Sequence, residues 1–307
     1  MNATDPKIRH VARIGVIGVP TSAGAFAPGQ EDAPAALRSA GLLQELPDAT
    51  DHGDRERFRW RPDRERPYAQ NLDKVVEIVR DTARRVADVA AQGEFTLVLG
   101  GDCTVGIGTV AGHLGPGGRL GLVYLDLHAD LNVPRSVRPG ALDWMGVAHM
   151  LGEDGAEPEL VQAGPRTPML EPDQVVLLGW GPDQAQPREK EAIERLNLTT
   201  VPCEEVGADP IAAAQRALSA LDGHAERILV HFDVDLVDFT DTPLSENTGR
   251  NEGLPYLEAI LALHALLRDP RIVGLTLTEL NPHHSEEGAH SIERLATDLA
   301  TGLSTLS

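Results

Sequence analysis

Cysteine is almost missing from this chain: 307 residues contain two, Cys103 and Cys203. Two thiols make no disulfide framework, which excludes a stapled secreted scaffold and makes a cytoplasmic protein the default expectation. Long apolar runs are missing as well. None approaches the ~18 residues of a membrane span, and the polar opening Met1 to His10 has no secretory pattern. Positive charge is in short supply: 27 Lys and Arg face 47 Asp and Glu, for a formal net charge of −20. That balance argues against nucleic acid and anionic membranes as partners, and mildly attracts cationic substrates. No internal repeat and no linker composition divides the chain. Its length suits one large α/β domain over 1–307, with residues 1–10 as a flexible tail. The charged stretch Asp51 to Arg66 reads as surface, with a loop at Arg61 to Pro67.

What is present in force is carboxylate at the ends of apolar runs. Tyr124-Leu-Asp-Leu-His-Ala-Asp-Leu-Asn132 carries Asp126, His128, Asp130 and Asn132 at alternate positions. A strand has a side-chain period of two, so these four share a face. Ile228-Leu-Val-His-Phe-Asp-Val-Asp-Leu-Val-Asp238 repeats the device with Asp233 and Asp235. Carboxylates crowded at two buried strand ends repel one another unless cations lie between them. Solvated acidic strand-to-loop junctions are the plainer alternative. A third apolar run, Phe95-Thr-Leu-Val-Leu-Gly-Gly-Asp-Cys-Thr104, leaves its strand through a glycine pair that allows a tight backbone, then presents Asp102 and Cys103.

Short β-branched runs alternate with helical patterns along the whole chain. Strands are predicted at Ala12–Val19, Thr96–Leu99, Gly121–Asp126, Gln174–Leu178, Leu198–Val201, Ile228–Asp233 and Ile272–Thr278, with an eighth near Asp51–Phe58. Helices are predicted at Ala33–Glu45, Asn71–Ala91, Val105–Gly112, Trp144–Leu151, Pro187–Leu196, Ile211–Leu221, Pro255–Leu267 and His290–Leu303. Asp209 before Pro210 reads as an N-cap. This alternation predicts a three-layer αβα architecture: a mostly parallel sheet of about eight strands with helices on both faces. Ligands then sit at the carboxyl ends of the strands, where the acidic motifs fall.

The three motifs together resemble the arginase (ureohydrolase) family, whose signatures are a Gly-Gly-Asp-His turn, an Asp-x-His-x-Asp strand end and an Asp-x-Asp strand end. Ile17 to Gly24, Pro28 to Leu43, Asp51-His-Gly-Asp54 and Glu279-Leu-Asn-Pro282 continue the likeness in order over roughly residues 12 to 300. The resemblance implies two Mn²⁺ ions, one held by Cys103, Asp126, Asp130 and Asp233, the other by Asp126, His128, Asp233 and Asp235. Carboxylates with an imidazole suit Mn²⁺, and paired ions lower the pKa of a shared water. Glu279 would pair with a guanidinium, or be an acid in a turn. Asp130 would hydrogen-bond the hydroxide. Asn132 would contact the substrate head group, or cap a turn. Asp102 and Asp238 would orient neighbours, and His231 stands beside Asp233 as a further group behind the ligands. Family members commonly assemble as trimers or hexamers.

The chain also departs from the family pattern. Cys103 replaces a histidine ligand. It reads either as a thiolate ligand, favouring Zn²⁺ or Fe²⁺, or as a small buried hydrophobe. Certain relatives that act on hydroxyguanidines resemble this chain in tolerating cysteine there. Asp143 occupies the place of the family's proton-shuttling histidine. With a reference pKa of ~3.9 it needs burial to serve as an acid, and a helix N-cap is the alternative. Where the family grips the substrate amino group, only Asp183 remains, out of register. The loop after Asp238 carries Glu246 and Arg250 as candidate substrate contacts. The expectation is a binuclear metallohydrolase that cleaves a small guanidino or hydroxyguanidino substrate to an amine plus urea or hydroxyurea. Asp130, Asp143 and Glu279 are its catalytic candidates. A weakly metallated, non-catalytic binding protein is the runner-up.

Overall fold

Eight strands pair in parallel into one sheet of order β2-β1-β3-β8-β7-β4-β5-β6. They are β1 (Ile14–Gly18), β2 (Thr50–Asp54), β3 (Phe95–Leu99), β4 (Leu120–Leu125), β5 (Val175–Trp180), β6 (Thr199–Pro202), β7 (Arg227–Asp233) and β8 (Ile272–Thr278). The computed structural model describes residues 13–115, 118–138, 140–284 and 289–306. The tail expected at 1–10 lies outside the described residues.

The inner strands read as unbroken apolar runs because both of their faces are buried. On β4, Val123 and Leu125 enter one hydrophobic cluster, while Leu122 and Tyr124 enter the other. The first cluster is closed by α1 (Ala33–Ser39), α2 (Leu42–Glu45), α8 (Cys203–Ala208), α9 (Pro210–Ala220), α10 (Tyr256–Leu267) and α11 (Ala289–Leu303). The second is closed by α3 (Leu72–Ala91), α4 (Val105–His113), α5 (Gly146–Leu151), α6 (Pro158–Val161) and α7 (Pro187–Leu196). On α3 the buried residues Val75, Val76, Val79, Val86 and Val89 recur at helical spacing, which lays one stripe against the sheet. Asp209 caps α9 as its sequence indicates, accepting the Ala212 N–H at 3.0 Å.

Three predicted elements come out differently. The helix expected over Ala33–Glu45 splits in two, because Gly41 adopts a left-handed φ of 94° between α1 and α2. The helix expected from Trp144 opens as a 3-10 turn, Leu142–Met145, before α5. The strand near Asp51–Phe58 stops at Asp54, and Phe58 makes only an isolated bridge to Thr21. That edge strand is largely exposed, with Asp51 and Asp54 both paired to Arg38 at 2.9 and 2.7 Å. Charge on an edge discourages pairing with another sheet.

The sheet order matters most at its centre. Strands β3, β8, β7 and β4 are consecutive neighbours. Their carboxyl ends release Cys103, Glu279, Asp233 and Asp126, so residues from four distant stretches meet over one edge of the sheet.

Candidate metal centre and substrate pocket

The turn after β3 can be made only with glycine. A Cβ on Gly101 would stand 1.6 Å from the Thr21 carbonyl oxygen. Asp102 then ties the turn together, accepting the N–H groups of Gly24 at 3.0 Å and Thr104 at 3.1 Å. Asp238 does the same for its own loop, accepting from Thr240 and Glu252, both at 2.7 Å. Both aspartates act by orienting backbone, in keeping with their reading from sequence.

Two buried donor groups result. Cys103, Asp126, His231 and Asp233 bring one ligand atom each to within 4.8 Å of one another, and Asp126, His128 and Asp235 form a second such group. Asp126 belongs to both. In the first group Cys103 Sγ donates to Asp233 Oδ2 at 2.9 Å and lies 3.3 Å from His231 Nε2. In the second, His128 Nδ1 pairs with Asp235 Oδ2 at 2.9 Å. Asp130 is in neither group. Its carboxylate accepts the Tyr124 hydroxyl at 2.5 Å, and its backbone is held at φ 48°. Glu279 also has positive φ, 62°. Left-handed backbone at non-glycine residues costs of order 1–3 kcal/mol and clusters where side chains are aimed for function.

The electrostatics are those of a site that attracts cations. Burial and the neighbouring Asp235 push Asp126 up to about 7. Burial and surrounding carboxylates raise Asp130, Asp143, Asp233 and Glu279 well above the ordinary range. His128 rises against its own burial because Asp235 and Asp126 stabilise the imidazolium, and Asp235 falls for the same reason. His231, buried deeper, is pushed down to about 3 and is neutral. Asp126 Oδ2 and His231 Nδ1 are buried with no hydrogen-bond partner. An orphaned carboxylate oxygen at the junction of two donor groups fits a divalent cation, which would satisfy it and lower the mutual repulsion. Oxygen, nitrogen and one sulfur suit first-row divalent ions.

Above these donors opens a cavity of about 380 Å³, within the usual range for small-molecule sites. Its floor includes Cys103, Asp233, Asp235 and Glu279; its walls include Phe26, Trp144, Gln186 and Asn247. Phe26 and Trp144 meet edge to face, with ring centroids 5.8 Å apart. Glu279 is fixed by two donors, the Cys103 N–H at 2.8 Å and Gln30 Nε2 at 3.0 Å. Asp143 lines the cavity and also accepts the Trp144 N–H at 3.0 Å. It lies inside the 3-10 turn rather than at its cap, which is Ala141. Asn132 lines the cavity too, with Oδ1 bonded to Ser136 at 3.1 Å.

The remaining candidates divide. Glu246 lines the cavity and accepts from Asn281 at 2.5 Å. Asp183 is exposed and outside the lining, where Gln184, Gln186 and Glu189 stand instead. Arg250 is exposed, also outside the lining, with its guanidinium 5.2 Å from the Phe239 ring centre. Gln30 and Tyr124, which hold Glu279 and Asp130, carried no sequence signal. Gln30 reaches Glu279 from far away in the chain, whereas Tyr124 holds Asp130 from six residues upstream.

Comparison with known proteins identifies the family of the chain. The model of the Arginase family matches residues 12–303. Arginase-1 of Homo sapiens is 31% identical over 276 residues, covering 88% of this chain and 85% of that protein. Arginase of Bacillus caldovelox is 30% identical over 279 residues, covering 88% and 91%. The crystal structure of that arginase superposes with a TM-score of 0.81 over 96% of this chain and 98% of its own, at 28% identity. A formimidoylglutamase from Bacillus subtilis shares the fold, with a TM-score of 0.75 at 17% identity over 96% and 87%.

Proposed function

The chain belongs to the arginase family and is a ureohydrolase, and from that premise we propose that it uses two divalent cations to hydrolyse a guanidino or hydroxyguanidino C–N bond. The products are an amine plus urea or hydroxyurea. The observation that carries this reading is the pair of buried donor groups sharing Asp126, directly beneath a cavity whose floor also holds Glu279. Cys103, Asp126, His128, Asp233 and Asp235 are the residues proposed to hold the ions. When bound, the ions supply hydroxide near neutral pH, which a poor electrophile such as a guanidinium carbon requires.

The protein's own groups do the rest. Glu279 is a buried carboxyl that resists ionising alone; a guanidinium beside it supplies the missing counter-charge. The fork geometry of the guanidinium suits a carboxylate already held by Gln30 and the Cys103 N–H. Asp130, pinned by Tyr124, would accept a hydrogen bond from the attacking nucleophile and so orient it. Burial and the nearby Glu279 raise the pKa of Asp143, which favours the protonated form that could protonate the departing amine. Phe26 and Trp144 narrow the mouth of the cavity. Asn132 and Glu246 face the part of the substrate that does not react.

Hydroxyguanidines head the candidate substrates, because Cys103 is shared with relatives of that preference. The test is product release from a panel of hydroxyarginine, arginine and larger guanidines, on protein loaded with Mn²⁺ and, separately, Zn²⁺. Urea or hydroxyurea from any member, dependent on added metal, is the expected result. A fully metallated protein that releases neither product from any of them sinks the proposal.

A further inference from the structure

A metal site built on the turn after β3 has an unusual gap and an unusual supplement. Position 103 offers sulfur and no imidazole, yet an imidazole is present at the same spot, delivered by β7 from the far side of β8. His231 on β7 faces the same side of the sheet as Asp233, two residues later. Its Nε2 lies 3.3 Å from Cys103 Sγ and 3.1 Å from Thr278 Oγ1. The ring is held in place rather than merely accommodated. It stacks on Tyr124 with centroids 4.3 Å apart and planes 10° from parallel. It fits because residue 106 is glycine; a Cβ there would stand 2.6 Å from His231 Nδ1. The same Tyr124 holds Asp130 by its hydroxyl, away from either donor group.

Resting on the metal-dependent reading above, we propose that His231 is itself a metal ligand: one ion is held by Cys103 Sγ, His231 Nε2, Asp126 and Asp233, and Asp130 is not among its ligands. Around a tetrahedral ion with metal–sulfur near 2.3 Å and metal–nitrogen near 2.0–2.1 Å, those two donors stand roughly 3.5 Å apart. The observed 3.3 Å is within a few tenths of an ångström of that separation. Sulfur, nitrogen and two carboxylates form a four-donor shell that suits Zn²⁺ or Fe²⁺. The other group, two carboxylates and His128, keeps the harder character that suits Mn²⁺. The two positions of the centre therefore differ in metal preference. The thiol that replaces the usual imidazole and the imidazole brought in by β7 act as one unit.

The experiment uses the full chain, stripped with chelator and reloaded with one equivalent of Zn²⁺ or Co²⁺. X-ray absorption at the Zn edge is read in a His128→Ala background, which removes the imidazole of the other position. The expected shell contains one sulfur and one imidazole on the same ion. His231→Gln is expected to lose the imidazole signal, keep the sulfur, and weaken Zn²⁺ binding by about tenfold or more. The thiolate-to-cobalt absorption band should persist in it with a changed ligand-field spectrum. Thr278→Val removes the hydroxyl and keeps the imidazole, so it should leave stoichiometry and spectra unmoved. A sulfur-containing shell without imidazole overturns the proposal, as does a folded His231→Gln protein with unchanged affinity and spectra. If His231→Gln does not fold, the His128→Ala spectrum decides alone. Two bound ions with an indifferent His231 would remove this inference and leave the hydrolase reading intact. No ion on the unaltered protein would remove both.

Discussion

The floor of the cavity and its mouth are built by different means. The floor is made of strand ends: β3, β4, β7 and β8 are hydrogen-bonded neighbours, and the register of a parallel sheet sets where their last side chains point. The mouth is made of loops: Phe26, Asn132, Trp144 and the segment from Glu246 to Glu252 come from connections of varied length. Floor residues are buried, and several are held at both ends, as Glu279 is by Gln30 and Cys103. Most mouth residues are partly or fully exposed, with Asn132 a buried exception. A chain can therefore change what it grips while keeping what it does. The departures from the family pattern at Asp183 and after Asp238 fall in loops, with Glu246 at the mouth and Asp183 and Arg250 outside the lining, whereas the floor keeps its donors apart from Cys103.

The sharpest way to break this contrast is to remove the donor that both groups share. Asp126→Asn keeps the shape and halves the site's bridging capacity. Both ions should be lost or weakened, and activity should fall by more than the roughly 10–100-fold typical of residues standing behind metal ligands. Metal content by elemental mass spectrometry, with the rate of urea or hydroxyurea release, checks it. If Asp126→Asn retained two ions and near-normal turnover, the floor would not be a metal centre.

Glu279→Gln separates the ions from the substrate. Losing one partner of a buried charge pair costs about 2–5 kcal/mol, so kcat/KM for a guanidinium substrate should drop roughly 30-fold to several-thousand-fold. Metal content should not change. Loss of an ion in this variant would move Glu279 from the substrate side to the metal side.

Asp143 lies where floor and mouth meet. Asn in its place can still accept the Trp144 N–H but holds no transferable proton. Turnover should fall about 100-fold or more, the scale of acid–base catalysis. The direction of the pH dependence follows from its raised pKa: the protonated acid is the working form, so the unaltered enzyme loses activity as pH rises through that value. The high-pH limb should vanish in Asp143→Asn. A pH–rate profile of unchanged shape would leave Asp143 as a turn residue only.

The floor should also carry a stability signature that the mouth lacks. Asp126 has a folded pKa of about 7 against ~3.8–3.9 when unfolded. Between those values the folded state binds more protons than the unfolded one, so stability falls as pH rises through that window. Chelated protein should thus be less stable at pH 8 than at pH 5, by an amount on the order of a few kcal/mol. Added Zn²⁺ or Mn²⁺ should close the difference, since cations take the place of the protons. Thermal melts with and without chelator test this, and a pH-independent melting point of the chelated protein would contradict it.

Legibility in the sequence follows the same division. Asp126, His128, Asp233 and Asp235 could be read from their alternate spacing at the ends of apolar runs, although only Asp233 lies within its strand; the others stand just past the strand ends. Sheet class followed from the alternation of strands and helices. His231 could be seen only as a neighbour of Asp233. Its approach to Cys103 depends on β8 lying between β3 and β7, and its orientation on β7 pairing with β4, where Tyr124 sits opposite His231. No local pattern encodes such pairings. Asp130 shares the spacing of Asp126 and His128 but leaves the strand geometry at φ 48°, so its side chain swings to Tyr124. In the mouth, the register of loops is what sequence spacing transfers least well, and Asp183 and Arg250 both lie outside the cavity lining.

The smallest expected effect lies at the mouth, and it is the most informative about substrate. Trp144 is partly buried, packs on Phe26 and walls the cavity without touching the donor groups. A substrate group stacked on an aromatic wall gains about 0.5–1.5 kcal/mol beyond its area, so for a substrate that reaches Trp144, Trp144→Leu should raise KM by roughly 2- to 12-fold. The turnover number and the metal content should hold. The size of that change then reports the substrate's far end. A small substrate that never reaches the mouth would show almost no change in KM, while a larger guanidine stacked against the indole would lose affinity. If instead kcat fell and KM did not, the mouth would be helping the reacting carbon itself, and the separation between a fixed floor and an adaptable mouth would have to be given up.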